Sequence, residues 1–524
     1  MSSSVRSLVR HGSALSLLTL VSRVLGLVRE MTKAALLGTS ALSDAFSVAF
    51  LIPNLFRRLF AEGSISVAFI PTFKEYLLEN DQGKIREFLS SICTFLTFFV
   101  TLAVMAGILF TPLLVPIFGI EEFDETVWLT RLMFPFLAFI SLAAFFQGIL
   151  NSVRIFTPSG LAPILLNLVT ILCAYGLSPF TANPARAMAV GILLGGFLEA
   201  AIQFPFVLKM GFRFSFTGLK RAMRNPGTQA VLKLIGPTII GMAAYQLNDL
   251  VSTALAGNAG EGVVSSLQYS LRLQELILGI FAVSIGTVLL PDLAEDAKTA
   301  CWERYNQRLL SAMDIIALIT IPVTFFSLAQ GETLVRLLFQ TRSFDEESVR
   351  LTRAAFTFHI PGLFFIALNR ILAPAFYAQS DSKSPTLAGL LSFGVNMILA
   401  AILAGPLQGA GIALALSLAG AVNTALLLFF LRRNPHIAVG TVLRSVLGYA
   451  LKVALFSAIA VAPVLWVSPR LRTAFSGSGR LAAQGIPLGV SLVIFTAVGL
   501  FLLVITGDKQ VGAIIRMFRK GGSS

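Results

Sequence analysis

The sequence predicts an all-α polytopic membrane protein, and three observations carry that prediction. Of its 524 residues, 56% are hydrophobic and only 13% charged, with a mean hydropathy of +0.83, a balance that water-soluble folds of this length do not show. Apolar runs of about 20 residues recur from end to end, each long enough to cross a hydrocarbon layer of roughly 30 Å as a helix. The runs are continuous rather than alternating apolar with polar residues, which selects helices over barrel strands.

About fourteen spans are expected. The first, 13–38, follows Arg6 and Arg10 as a secretory signal would, but Arg23 interrupts it and no small-residue cleavage site follows promptly, so it reads as a retained span. The second, 44–72, contains Pro53, whose missing N–H frees backbone groups that can line a cavity but cannot face lipid. Spans at 89–117, 128–151, 159–180 and 186–208 complete a first set of six. A second set is expected at 229–256, 263–292, 310–330, 351–378, 385–404 and 409–431. Two more, at 446–467 and 482–506, close the chain.

The two sets repeat one another. LSDAFSVAFLIPNLFRRLFAEGSISVAFIPTF (42–73) aligns at an offset of 220 with VVSSLQYSLRLQELILGIFAVSIGTVLLPDL (263–293), placing Ser64 on Ser284 and Pro71 on Pro291. A second echo sets Pro158 against Pro385. Six spans per copy is an even number, so both copies insert in the same direction, the parallel-repeat plan of many secondary transporters. The expected division is a lobe at 1–225, a second lobe at 226–440 and an appendage at 441–524. The appendage has no counterpart; it serves either as packing or as a lipid-facing groove.

The net charge of +14 invites a nucleic-acid reading, but topology explains it better. With both termini cytoplasmic, most Lys and Arg fall in cytoplasmic loops, Lys220, Arg221, Arg224, Arg432, Arg433, Arg516, Arg519 and Lys520 among them. Cys93, Cys173 and Cys301 are too scattered for a disulfide framework, and His11, His359 and His436 lack metal-ligand spacing, so neither metal nor cofactor is expected. No GxxxxGK[ST] sequence is present. Net transport would therefore draw on the membrane potential, a monovalent-cation gradient or the cargo's own gradient.

The informative residues are the charges inside the spans. An arginine at bilayer depth costs from about 3 to more than 10 kcal/mol unless it faces a partner or a wet cavity. The first two spans carry Arg23, Arg29, Lys33, Arg57 and Arg58 against Asp44 and Glu62, an expected surplus of positive charge that suits an anion. Lys33 and Arg58 read as helix-end residues that snorkel to the interface, Asp44 as a cap on the second span, and Glu62 as a partner for Arg58 four residues earlier. Arg23, Arg29 and Arg57 survive that discount. Guanidinium groups donate paired hydrogen bonds to phosphate oxygens and keep their charge when desolvated. Three of them suggest a diphosphate. The second copy has Ala243, Asp249 and Ile277 at the equivalent places, so the cluster is not duplicated; that half offers Arg272, and Asn248 with Asp249 read either as a cation or proton site or as an interhelical hydrogen bond. Arg370 reads as interfacial.

SRVLGLVRE, SDAFSVAFLIPNLFRRLFAEGSISVAFIPTF, ILNSVRIFTPSGLAPILLN and RILAPAFYAQSDSKSPT together resemble the MurJ (MviN) family of lipid II flippases, within the MOP exporter superfamily. The resemblance covers nearly the whole chain and implies alternating-access movement of undecaprenyl-diphosphate-linked disaccharide-pentapeptide from the cytoplasmic to the outer leaflet of the bacterial inner membrane. Family site residues match Arg23, Arg29, Arg57 and Arg272, with Ser22, Asp44 and Glu62; the last two helices match a groove for the lipid tail. An acidic residue that some relatives carry beside the eighth-span arginine is Leu271 here, which leaves Arg272 without an adjacent carboxylate. A sodium site of some members matches Asp249 only loosely. The resemblance implies lipid II and membrane lipids as partners; the oligomeric state stays open, a monomer included. The alternatives are a MOP-type exporter of another polyprenyl-diphosphate oligosaccharide, and an enzyme acting on the same lipid. The enzyme is disfavoured because no carboxylates or histidines converge and the external loops are short.

Overall fold

A computed structural model describes residues 3–58 and 64–512, and among these the regular structure is helical without strands. The chain opens with a helical hairpin of α1 (Ser3–Leu37) and α2 (Ala41–Arg57). Its turn needs a glycine twice over. Gly38 sits at φ +60°, and a Cβ there would lie 2.1 Å from the carbonyl oxygen of Ser343. Ser40 then caps α2 by accepting the Ser43 N–H.

Next come α3 (Ser64–Glu79), α4 (Gln82–Leu114), α5 (Phe123–Met133), α6 (Phe136–Ser152), α7 (Thr157–Gly176), α8 (Pro184–Lys209) and the short α9 (Leu219–Arg224). The second half runs α10 (Pro226–Gly257), α11 (Val263–Lys298), α12 (Trp302–Phe339), α13 (Glu346–His359), α14 (Gly362–Tyr377) and α15 (Lys383–Leu431). The chain closes with α16 (Val439–Ala474) and α17 (Arg480–Ile505). α15 is two helices meeting at Gln408, whose backbone lies at φ +48°.

The repeat is written into the backbone. Asn80 and Ala300 both take a left-handed φ of 54°, immediately before α4 and α12, and Arg154 and Ser380 do so at 63° and 61°, before α7 and α15. Each half also breaks a span ahead of a proline: α5 and α6 part at Pro135, α13 and α14 at Pro361.

Among the described residues eight helices are long and apolar enough to cross a membrane, or nine if α13 and α14, bent by 46°, make one span. The helices that carry the intramembrane charges, α1, α2, α10 and α11, are not among them. Length and apolarity alone therefore identify fewer spans than the fourteen expected.

The chain forms two compact units. The first ends at Ser265 and takes in Thr341–Phe344; the second holds Ser266–Gln340 and the chain from Asp345 onward. α10, which the repeat groups with the second copy, packs in the first unit against α3 and α2.

The first unit's core is aromatic. Phe69, Phe73 and Phe88 are fully buried and stacked at centroid distances of 5.2 to 6.1 Å, with Phe145 edge-on to Phe69 and Tyr76 stacked 4.6 Å from Phe88. α8 lies against α7 at Gly191, where a Cβ would come within 2.8 Å of the Thr170 Cα; small residues permit this approach where lipid offers no hydrophobic drive for helix pairing. In the second unit α16 and α17 pack on α12 through Ala317 with Val453 and Phe326 with Phe495. The appendage is thus part of that unit's core.

Candidate substrate-binding site

Helical periodicity puts Ser22, Arg29 and Lys33 on one stripe of α1, seven and four residues apart, and Ser43, Ser47, Phe50 and Asn54 on one stripe of α2. The two stripes meet. Lys33 Nζ donates to Ser47 Oγ at 2.7 Å, and Ser47 Oγ donates in turn to the Ser43 carbonyl at 2.7 Å. Lys33 is only 3% exposed, so it does not snorkel as expected: four apolar methylenes lie in the packed hairpin and the hydroxyl receives the ammonium.

One turn earlier, Arg29 lies 5.8 Å from the centroid of the Phe50 ring and donates Nη2 to Glu30 Oε1 at 2.9 Å. Both side chains are mostly buried, at 18% and 16% exposed. That contact uses one of five guanidinium N–H groups. Arg23 is half-buried and forms no ion pair among the described residues. α1 is held in place here by Asn167 Nδ2 on α7, which donates to the Ser22 carbonyl at 3.3 Å.

At the other end of α2, Arg57 donates Nε to Asn54 Oδ1 at 2.7 Å, which fixes the direction of its fork. Arg58 does not reach the interface. Its Nη1 lies 3.3 Å from Asp249 Oδ2 and 3.4 Å from Gln246 Oε1, both on α10. Glu62, the expected partner of Arg58, lies outside the described residues. Asp249 meets a guanidinium, an interhelical contact of the kind the second reading of Asn248 and Asp249 expects; Asn248 is half-buried beside it.

Asp44 caps a helix, but not its own. It is 2% exposed and accepts the N–H groups of Gly262 (2.7 Å) and Ser265 (2.8 Å) together with the Ser265 hydroxyl, so it closes the first turn of α11 while Ser40 serves α2. The expected ratio of five cations to two carboxylates omits Glu30 on α1 and Asp249 from α10. The surplus positive charge is correspondingly smaller.

In the second unit, Arg272 on α11 donates Nη1 to Glu275 Oε2 at 3.3 Å, and its Nε is buried without a hydrogen-bond partner. Leu271 therefore does not leave Arg272 without a carboxylate: Glu275, three residues on, supplies it. On the same helix Ser270 bonds His359 Nδ1 at 2.6 Å, and Gln274 Nε2 donates to the His359 carbonyl freed by the break between α13 and α14. Arg370 is exposed on α14.

Sequence reasoning missed Gln246, Phe50 and Glu275. The i,i+3 spacings of Gln246 to Asp249 and Arg272 to Glu275 were legible signals; the meeting of Phe50 with Arg29 needs the hairpin geometry.

An all-helical membrane chain whose halves repeat their backbone breaks, with half-buried guanidinium groups at Arg23, Arg29 and Arg57, has the build of a membrane transporter. The family model of the lipid II flippase MurJ matches residues 33–504. A probable lipid II flippase MurJ of Treponema pallidum is 46% identical over 520 residues, 98% of each chain. A solved structure of lipid II flippase MurJ in an inward closed conformation superposes with a TM-score of 0.78 at 25% identity, over 95% of this chain and 99% of that one. An inward-facing multidrug resistance MATE family transporter of the MOP superfamily matches in fold, with a TM-score of 0.67 at 14% identity over 81% of this chain and 96% of that one. The chain belongs to the MurJ family of lipid II flippases.

Proposed function

We propose that this chain flips lipid II from the cytoplasmic to the outer leaflet of the bacterial inner membrane by alternating access, with both termini cytoplasmic and a single copy sufficient. The observation that supports it most is the set of half-buried guanidinium groups on α1 and α2: Arg23, Arg29 and Arg57. Arg23, Arg29 and Arg57 hold the diphosphate; Arg272, on α11, matches the family's eighth-span arginine. Ser22 lies on the Arg29 stripe and contributes a hydroxyl. Asp44 acts indirectly, by fixing the start of α11.

No reaction step and no cofactor is needed. The head group crosses as a charged cargo, and a membrane potential contributes about 2.3 kcal/mol per charge per 100 mV, enough to bias one conformational step. Because Asp249 is engaged by Arg58, the potential is a better energy source here than a cation bound at Asp249.

Depletion of the protein in its native cell, followed by identification of the lipid-linked precursor that accumulates on the cytoplasmic leaflet, tests the assignment. Lipid II is expected. Accumulation of a different polyprenyl-diphosphate oligosaccharide would reassign the cargo within the same architecture, and a chemically altered lipid would point to an enzyme.

A further inference from the structure

The segment between α8 and α10 carries a charge that the transport site does not use. From Glu199 to Asp249 the sequence contains no carboxylate, while Lys209, Arg213, Lys220, Arg221 and Arg224 fall within one short stretch. At the starts of α4 and α12, by contrast, cations are neutralised: Lys84 pairs with Glu79, and Arg304 and Arg308 both pair with Asp296. Among the described residues, only Arg221 on this stretch has a carboxylate partner, Glu87.

The stretch is also pinned in place. Residues 212–217 run extended along α4: the Ser215 N–H donates to Ser90 Oγ at 3.0 Å and the Thr217 N–H to Thr94 Oγ1 at 2.9 Å. Phe212 turns in against Phe73, and Phe214 against Phe145 and Phe146. Their neighbours turn out. Arg213 is exposed and Phe216 is 73% exposed, and beyond them Met223 is 44% exposed on α9 between Lys220 and Arg224.

Depth gives this pattern its meaning. Ser90 and Thr94 lie about 12 and 18 Å along α4 from its start at Gln82, at 1.5 Å per residue, so the strap lies beside the helix rather than beyond its end. Apolar side chains aimed outward at that level, with unneutralised cations around them, match the boundary between acyl chains and head groups. We propose that this strap is a docking surface for anionic phospholipid head groups of the cytoplasmic leaflet: Phe216 and Met223 enter the acyl boundary, and Lys209, Arg213, Lys220 and Arg224 meet the phosphates. An acidic protein would satisfy the cations but not the outward phenylalanine, which favours lipid. The inference stands independently of the transported cargo.

The test uses the full chain carrying Phe216→Trp, reconstituted in phosphatidylcholine vesicles with roughly 30% phosphatidylglycerol, a content at which surface charge attracts basic segments. Brominated acyl chains are placed on one lipid or the other, and the emission of the parent chain is subtracted. Quenching of the added indole by brominated phosphatidylglycerol should exceed that by brominated phosphatidylcholine at least twofold, per mole. The excess should vanish in about 0.5 M salt, where the Debye length falls below about 5 Å, and in the K209Q/R213Q/K220Q/R224Q background. If that background fails to fold, K220Q/R224Q should roughly halve the excess. Equal quenching by the two lipids, or an excess that survives loss of the cations, would overturn the proposal; the same holds if only an added acidic protein, and no lipid, changes the emission.

Discussion

α1 and α10 hold equivalent places in the two repeats, yet one is a cation-bearing helix and the other its near opposite. Where α1 has Arg23, Arg29 and Lys33, α10 has Ala243, Asp249 and Thr253. The backbone around them is conserved down to the left-handed residues before α4 and α12. Duplication supplied a symmetric scaffold, and the chemistry was then placed on one side. α10 does not merely lack the cations: it returns a carboxylate, Asp249, to Arg58 of α2. A scaffold can be built twice because packing tolerates many apolar sequences; the cluster Arg23, Arg29 and Arg57 has no counterpart at Ala243, Asp249 and Ile277.

The largest effect that would break this contrast is at Arg29. Arg29→Ala removes donors worth about 1.5–3 kcal/mol per charge-assisted hydrogen bond. With two such bonds to a phosphate, lipid II relocation in proteoliposomes should fall more than about a hundredfold, at unchanged helicity. Asp249→Ala, at the equivalent place on α10, should lose far less.

Asp44→Ala comes next. It strands the N–H groups of Gly262 and Ser265 and the Ser265 hydroxyl, at about 1–3 kcal/mol for each buried group left unsatisfied. Thermal unfolding in detergent should shift down by several degrees, and Asp44→Asn, which keeps one acceptor oxygen, should recover part of the loss. Gly38→Ala should destabilise by about 1–3 kcal/mol through its left-handed backbone, with the close approach of the Ser343 carbonyl adding to it. The smallest effect is the coupling between Arg58 and Asp249. Both side chains are about a third exposed, so a double-mutant cycle of Arg58→Gln and Asp249→Asn should give under about 1 kcal/mol of interaction energy.

Much of this was legible in the sequence because hydrophobic runs and prolines act locally. The helical class and the repeat follow from composition and from residues matching at a fixed offset; the breaks at Pro135 and Pro361 fall inside the expected spans 128–151 and 351–378, which read as continuous although a proline acts locally. The partners of the charges were not legible. Asp44 looked like a cap on α2 because it sits in that helix's first turn, yet its lone pairs are taken by a loop more than two hundred residues away. Lys33 and Arg58 looked interfacial because sequence shows their distance from helix ends, not the hydroxyl or carboxylate opposite. Glu275 was within reach of sequence reasoning: an i,i+3 carboxylate after Arg272 compensates for Leu271 without any tertiary information.

The central claim is that the cations of α1 and α2 recognise a diphosphate. Its most direct test is the affinity of the purified protein for lipid II compared with an otherwise identical lipid bearing a single phosphate, measured for the parent chain, Arg29→Ala and Arg370→Ala. The account predicts a preference for the diphosphate that Arg29→Ala abolishes and Arg370→Ala, on the exposed face of α14, retains. A preference that survives in Arg29→Ala, or an absence of preference in the parent chain, would contradict it.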